Sequence, residues 1–196
     1  MKTCKRLRYG ALFVLTIILI CGCAAKIQEG DAMKRYIHYL EATDPTKGGG
    51  LKPGTTAEDQ SIRRFEEFYQ VFSADRIQKG LRDLYADEAY FQDPFKAVEG
   101  IDAIEAYFLK STEGVQSCTF DIQDFAVHEG NYYFRWVMHL SLKRYPDDPI
   151  QALGMSHVRF DKEGKVVFHQ DYWDTGVIYE RVPVMGSIIR WFKKQF

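Results

Sequence analysis

The chain predicts an α+β fold, helices first and strands last, and three observations carry that expectation. Between residues 57 and 111 apolar side chains recur every three or four positions. From residue 116 to 173 they alternate with polar ones. Turn-forming clusters then cut the alternating part into successive strand lengths. Such an order implies helices packed on one face of a curved antiparallel sheet.

Ala57 to Phe72 places Ile62, Phe65, Phe68, Tyr69 and Phe72 at helical spacing. Ala74 to Tyr85 continues as a second helix through Ile77, Leu81 and Leu84. Ala89 to Asp93 reads as a short strand running into an Asp93-Pro94 turn. Gly100 to Ser111 is a third helix, with Ile101, Ile104, Tyr107 and Phe108 on one face. Strands follow over Gln116–Glu129, Tyr132–Arg144, Ile150–Asp161 and Lys165–Trp173. Their turn signals are Glu129-Gly130-Asn131, the run Tyr145 to Pro149, and Asp161 to Gly164. A tail runs from Val177 past Pro183 into a basic amphipathic segment ending at Phe196.

The front of the chain is an address. Lys2, Lys5, Arg6 and Arg8 precede an apolar run of about 13 residues, Tyr9 to Cys21, too short for a span of roughly 20. The run closes on Leu19-Ile20-Cys21-Gly22-Cys23, which resembles a bacterial lipoprotein cleavage box. That resemblance implies a signal over residues 1–22, cleavage before Cys23 and acylation of its thiol. The expected location is the bacterial cell envelope, with Ala24 after the cysteine pointing to the outer membrane. Residues 23–57 are expected to form a lipidated cysteine and flexible tether, since Asp44 to Thr56 is loop chemistry throughout and Met33 to Leu40 offers only a helical turn or two. Residues 58–196 are then one domain with its tail. Cys118 is the cysteine left in the mature chain, on a strand pattern that suggests a buried thiol.

A net charge of −1 with mixed signs carries no nucleic-acid footprint. The aromatic content of 15% suits a chain that walls a pocket. No glycine-rich phosphate loop or Gly-x-Ser-x-Gly elbow is present, so no cofactor is implied. His128, His139 and His157 show no recurring ligand spacing, and no metal site is expected.

Several segments resemble the nuclear-transport-factor-2-like superfamily, which includes ketosteroid isomerase and the SnoaL-like cyclases. They are Leu84 to Ala89, Gln92-Asp-Pro-Phe95, Gly100 to Ile104, Val158 to Lys165 and His169 to Asp174, and the likeness covers roughly residues 61–176. The resemblance implies a cone: a strongly bent sheet wrapped around helices, with a pocket inside and sheets that pair into a homodimer. Against ketosteroid isomerase, Asp93 falls on the general base, Tyr69 on an oxyanion-hole tyrosine and Trp173 on a pocket wall. Ser156 stands where that enzyme keeps a protonated Asp, which argues against steroid isomerisation. SnoaL-like cyclases use an acidic residue on an inward strand, and Asp171 resembles it.

The residues themselves point the same way. Asp93 opens a loop beside aromatic rings, where partial desolvation suits a carboxylate to proton transfer. His169, Asp171 and Trp173 are two apart and share a strand face. The candidate catalytic set is therefore Asp93, Asp171, His169 and Tyr69. Phe95, Trp136, Met138, Ser156 and Trp173 are the expected ligand contacts. Two functions follow: a membrane-anchored domain holding a small hydrophobic molecule or a partner, or an acid/base enzyme of isomerase, cyclase or ring-opening type.

Overall fold

A computed structural model describes residues 29–181 and 185–195. The signal segment and Cys23 lie outside these residues, as does Pro183. The chain forms two compact units, residues 1–37 and 38–196. Of the first, residues 29–37 are described and form the start of helix α1 (Glu29–Ala42). The remaining elements all belong to the second unit.

Its helices are α2 (Thr56–Gln70), α3 (Ala74–Leu84), α4 (Ile101–Thr112), α5 (Gly176–Tyr179) and α6 (Met185–Lys193). The strands are β1 (Tyr85–Gln92), β2 (Ala97–Glu99), β3 (Val115–His128), β4 (Asn131–Leu142), β5 (Tyr145–Phe160) and β6 (Val166–Trp173). Thr55 caps α2 by accepting from the Glu58 N–H, and Ser73 caps α3 through Arg76 in the same way. The helical apolar stripes are buried as their spacing demands: Ile62, Phe65, Phe68 and Tyr69 on α2, Ile77, Leu81 and Leu84 on α3, Ile101, Ile104 and Phe108 on α4. They pack against the inner side of the sheet, where Phe65 stacks on Phe134 at 4.5 Å.

The sheet differs from the expected antiparallel one. Its order is β2-β1-β6-β5-β4-β3, and β1 runs parallel to β6, so it is mixed. Alternation reveals strands but not their direction, and β2 is too short to show a period. The β4–β5 turn also moves. Lys143 and Arg144 make it, while Tyr145 to Pro149 lie within β5, at an interruption of the ladder between Leu140 and Leu142. The β3–β4 turn is where it was expected, with Glu129 and Gly130 both at positive φ, 49° and 74°.

The expected tether is corrected over residues 38–57. Helix α1 runs to Ala42, a 3₁₀ turn follows at Pro45–Lys47, and Leu51 is buried in the core. Arg159 donates to the Leu40 carbonyl (2.6 Å) and to Thr43 Oγ1 (3.1 Å). Pro45 packs onto Gly130, where any β-carbon would come within 2.5 Å of it. Gly and Pro suggested a spacer; here they allow close approach to the β3–β4 turn. The outer side of the sheet carries an aromatic row in which Tyr39 stacks on Tyr90 and Tyr90 on Phe168.

Candidate active site

A cavity of about 240 Å³ opens between the inner face of the sheet and helices α2 and α4. Its wall is largely aromatic, including Phe72, Phe91, Tyr107, Phe108, Phe120 and Trp136. Asp93 and Asp171 are the acidic groups that line it, and no Lys, Arg or His among the described residues does. Tyr69, Phe95, Met138 and Trp173 also line it, so seven of the nine expected residues meet on one hollow.

The other two stand behind the wall. His169 is 1% exposed and Ser156 is 3% exposed. Both bond the same carboxylate oxygen: Ser156 Oγ donates to Asp171 Oδ1 at 2.5 Å, and His169 Nε2 lies 2.8 Å from it. Ser156 is thus a support for Asp171 rather than a contact for a ligand in the main cavity. A carboxylate only accepts, so His169 Nε2 is the donor to Asp171, and in a neutral ring Nδ1 is then the acceptor. Tyr85 O–H, 2.5 Å away, supplies that bond, and Tyr69 O–H lies 2.6 Å from Tyr85 and 3.3 Å from Nδ1. Burial holds both phenols well above their usual pKa, so they stay protonated. The result is a continuous row of donors, Tyr69 to Tyr85 to His169 to Asp171, ending at the cavity.

A glycine completes this side. Trp136 on β4 faces Gly154 on β5. A β-carbon at Gly154 would sit 2.1 Å from the indole ring, so only Gly lets the indole lie across the strand. There Trp136 Nε1 donates to Ser156 Oγ at 2.9 Å.

Asp93 is held differently. Oδ1 accepts from the backbone N–H groups of Phe95 and Lys96, both at 2.8 Å, and Oδ2 accepts from Tyr107 O–H at 2.7 Å. Burial raises its pKa, and the charge of Asp171 adds to that, against the lowering effect of the three donors. The carboxyl is both a turn cap and a cavity group.

Tyr107, Tyr85 and Gly154 were not among the expected site residues. Tyr107 sits at apolar spacing on α4 and reads as core; its hydroxyl shows its use only once Asp93 is placed opposite. Tyr85 closes an apparent helix in the sequence but begins β1. Cys118 is buried, also lines the cavity, and burial pushes its thiol up to about 12, so it is not a nucleophile.

An open curved sheet closed by helices around an acid-bearing aromatic hollow is the build of a nuclear-transport-factor-2-like domain. The chain belongs to the SnoaL-like domain family, whose model matches residues 65–169. Solved structures agree on the fold. A nuclear-transport-factor-2-like protein of unknown function from Burkholderia pseudomallei superposes with a TM-score of 0.56 at 12% identity, over 66% of this chain and 100% of that one. A hypothetical protein with a ketosteroid isomerase-like fold from Catenulispora acidiphila, in complex with trimethylamine, gives 0.53 at 13% identity, over 61% and 89%. An epoxide hydrolase of the LEH-like kind from Mycobacterium tuberculosis gives 0.52 at 13% identity, over 65% and 90%. No curated protein matches the sequence.

Proposed function

We propose that this domain holds a small, largely apolar molecule in the cavity, with a donor or cationic group of that molecule facing Asp93 and Asp171. The observation that carries the reading is the lining itself: aromatic and aliphatic walls, two carboxylates and, among the described residues, no basic side chain. At about 240 Å³ the hollow lies just below the roughly 300–1,000 Å³ of sites for drug-sized ligands, which favours a small occupant. Aromatic faces attract a cation, and carboxylates repel an acid. The trimethylamine held by the Catenulispora neighbour is in keeping with this. Calorimetric titration with trimethylamine, and with a carboxylic acid of similar size, tests it. The amine is expected to bind and Asp171→Asn to weaken it. Tighter binding of the acid refutes the reading.

An acid/base enzyme is the second reading, favoured by the donor row that ends on Asp171. Asp171, oriented by His169 and Ser156, accepts a proton from carbon beside a carbonyl or from an attacking hydroxyl. Asp93, with its raised pKa, returns a proton to the developing oxygen or carbon. Isomerisation, cyclisation and ring opening all fit that pair. Under this reading Asp93→Asn and Asp171→Asn each abolish turnover, and His169→Gln lowers kcat more than it raises KM. Turnover that survives Asp171→Asn rules it out.

We also propose that the domain is held at the bacterial cell envelope, outer membrane included, by lipid on Cys23. The basic and apolar lead with Gly22 before Cys23 supports this. Labelling with an alkyne fatty acid is expected for the natural chain and lost in Cys23→Ser.

A further inference from the structure

We infer that α6 lies on an anionic lipid surface with its apolar side down. The helix is docked by the wrong edge for a core element. Gly186 is buried, and a β-carbon there would lie 2.0 Å from the Glu180 carbonyl oxygen. Arg190 Nη1 donates to that carbonyl at 2.8 Å, and Lys193 pairs with the Glu180 carboxylate. Residues 186, 190 and 193 form one edge at 100° per residue. The opposite side carries Met185, Ile188, Trp191 and Phe192, which are 43%, 53%, 58% and 54% exposed. An amphipathic helix normally turns that stripe inward. Here the polar edge meets Glu180 at the end of α5, and none of the described residues covers the stripe.

Charge and composition say what does. Residues 185–195 contain Arg190, Lys193 and Lys194 and no acidic residue. Trp and Phe beside Lys and Arg are the mixture that settles at the headgroup boundary, about 5–10 Å deep, and is drawn to anionic lipid. The helix has nine residues, and none of the helices among the described residues is long and apolar enough to cross a membrane, so it lies along the surface. A second copy is a poorer occupant, because four side chains fall well short of the roughly 20 residues a side of a stable interface. The proposal does not depend on what the cavity binds.

A lipid on Cys23 would hold the chain at the bilayer whichever way α6 points, so the readout is the depth of Trp191 rather than binding. The full chain is placed in vesicles of phosphatidylcholine, with and without phosphatidylglycerol, whose acyl chains are brominated. Subtracting the spectrum of Trp191→Tyr isolates this tryptophan from Trp136 and Trp173. Bromine is expected to quench most of the Trp191 emission when phosphatidylglycerol is present, and Ile188→Glu is expected to restore it. Trp191 that stays bright with brominated lipid and open to aqueous iodide overturns the proposal. So does Trp191 shielded from both quenchers in a cross-linked dimer that Ile188→Glu dissociates, since the stripe is then an interface between copies.

Discussion

Asp93 is held by a loop and Asp171 by a sheet, although both carboxylates open on the same cavity. The Asp93 loop supplies two backbone N–H groups from the exposed residues Phe95 and Lys96, and Tyr107 bonds it from the cavity side. Asp171 rests on two side chains, Ser156 and His169, that are almost fully buried. Water can replace a loop N–H partner, but nothing replaces a carboxylate for a buried donor. The contrast separates a group whose position is adaptable from one that is built into the fold. In a binding domain it allows one fixed and one adjustable contact. In an enzyme it allows one group to be pinned while the other exchanges its proton.

Truncating each carboxylate is the most forceful way to break the comparison. Asp171→Ala leaves the Ser156 hydroxyl and His169 Nε2–H without their acceptor and is expected to cost about 2–3 kcal/mol in urea unfolding. Asp93→Ala removes a turn cap whose backbone partners are hydrated instead, at about 1 kcal/mol. Equal losses would show that the sheet does not pin Asp171 any more firmly than the loop pins Asp93.

Gly154→Ala acts on the sheet side without touching a carboxylate. The methyl group meets the Trp136 ring, and overpacking of this kind costs about 1–3 kcal/mol. The indole is expected to swing off Ser156, seen as a changed near-ultraviolet tryptophan signal, and the Asp93 loop is expected to keep its Tyr107 bond. If the Tyr107 hydroxyl is also released, the two halves of the site are coupled and the comparison fails in a different way.

Each half of the site was legible in part, for a physical reason. A period of two puts His169, Asp171 and Trp173 on one face wherever β6 lies, so their convergence could be read from spacing alone. That His169 sits behind the wall rather than in it depends on Tyr85 and Tyr69 closing over it, and Tyr85 carries no such sign. Asp93 before Pro94 announced a turn, and the turn exists. The Tyr107 hydroxyl that reaches it comes from α4, where the tyrosine occupies an apolar position and looks like packing. The parallel pairing of β1 with β6 and the seating of Leu51 in the core are long-range facts that no local pattern carries. The exposed apolar stripe on α6 is the reverse case: its amphipathic pattern is plain, but which edge docks is decided by Gly186 against Glu180.

Tyr107→Phe sharpens the comparison from the loop side. It removes a single donor from Asp93 and is expected to cost about 1 kcal/mol, with the Asp171 network unchanged by histidine NMR shifts. The same hydroxyl lowers the Asp93 pKa, so its loss moves the titration of that carboxyl upward, and NMR of the Asp93 carboxyl carbon reads the shift directly.

The smallest effect is on stability against pH. A carboxyl whose folded-state pKa is raised binds its proton more tightly in the folded chain than in the unfolded one. As pH rises from the ordinary value of 3.8 through the higher folded-state value, the folded chain therefore holds more protons and loses stability. Above that value the penalty is complete; below 3.8 it is absent. Asp93→Asn carries no charge in either state, so its stability lacks this decline, and the difference between natural chain and variant narrows as pH falls from the higher folded-state value toward 3.8. Tyr107→Phe extends the decline to higher pH, because the carboxylate it leaves has lost a donor. A natural chain that loses stability relative to Asp93→Asn as pH falls would mean that the loop donors outweigh burial, and Asp93 would then be a plain turn cap with no special claim on a proton.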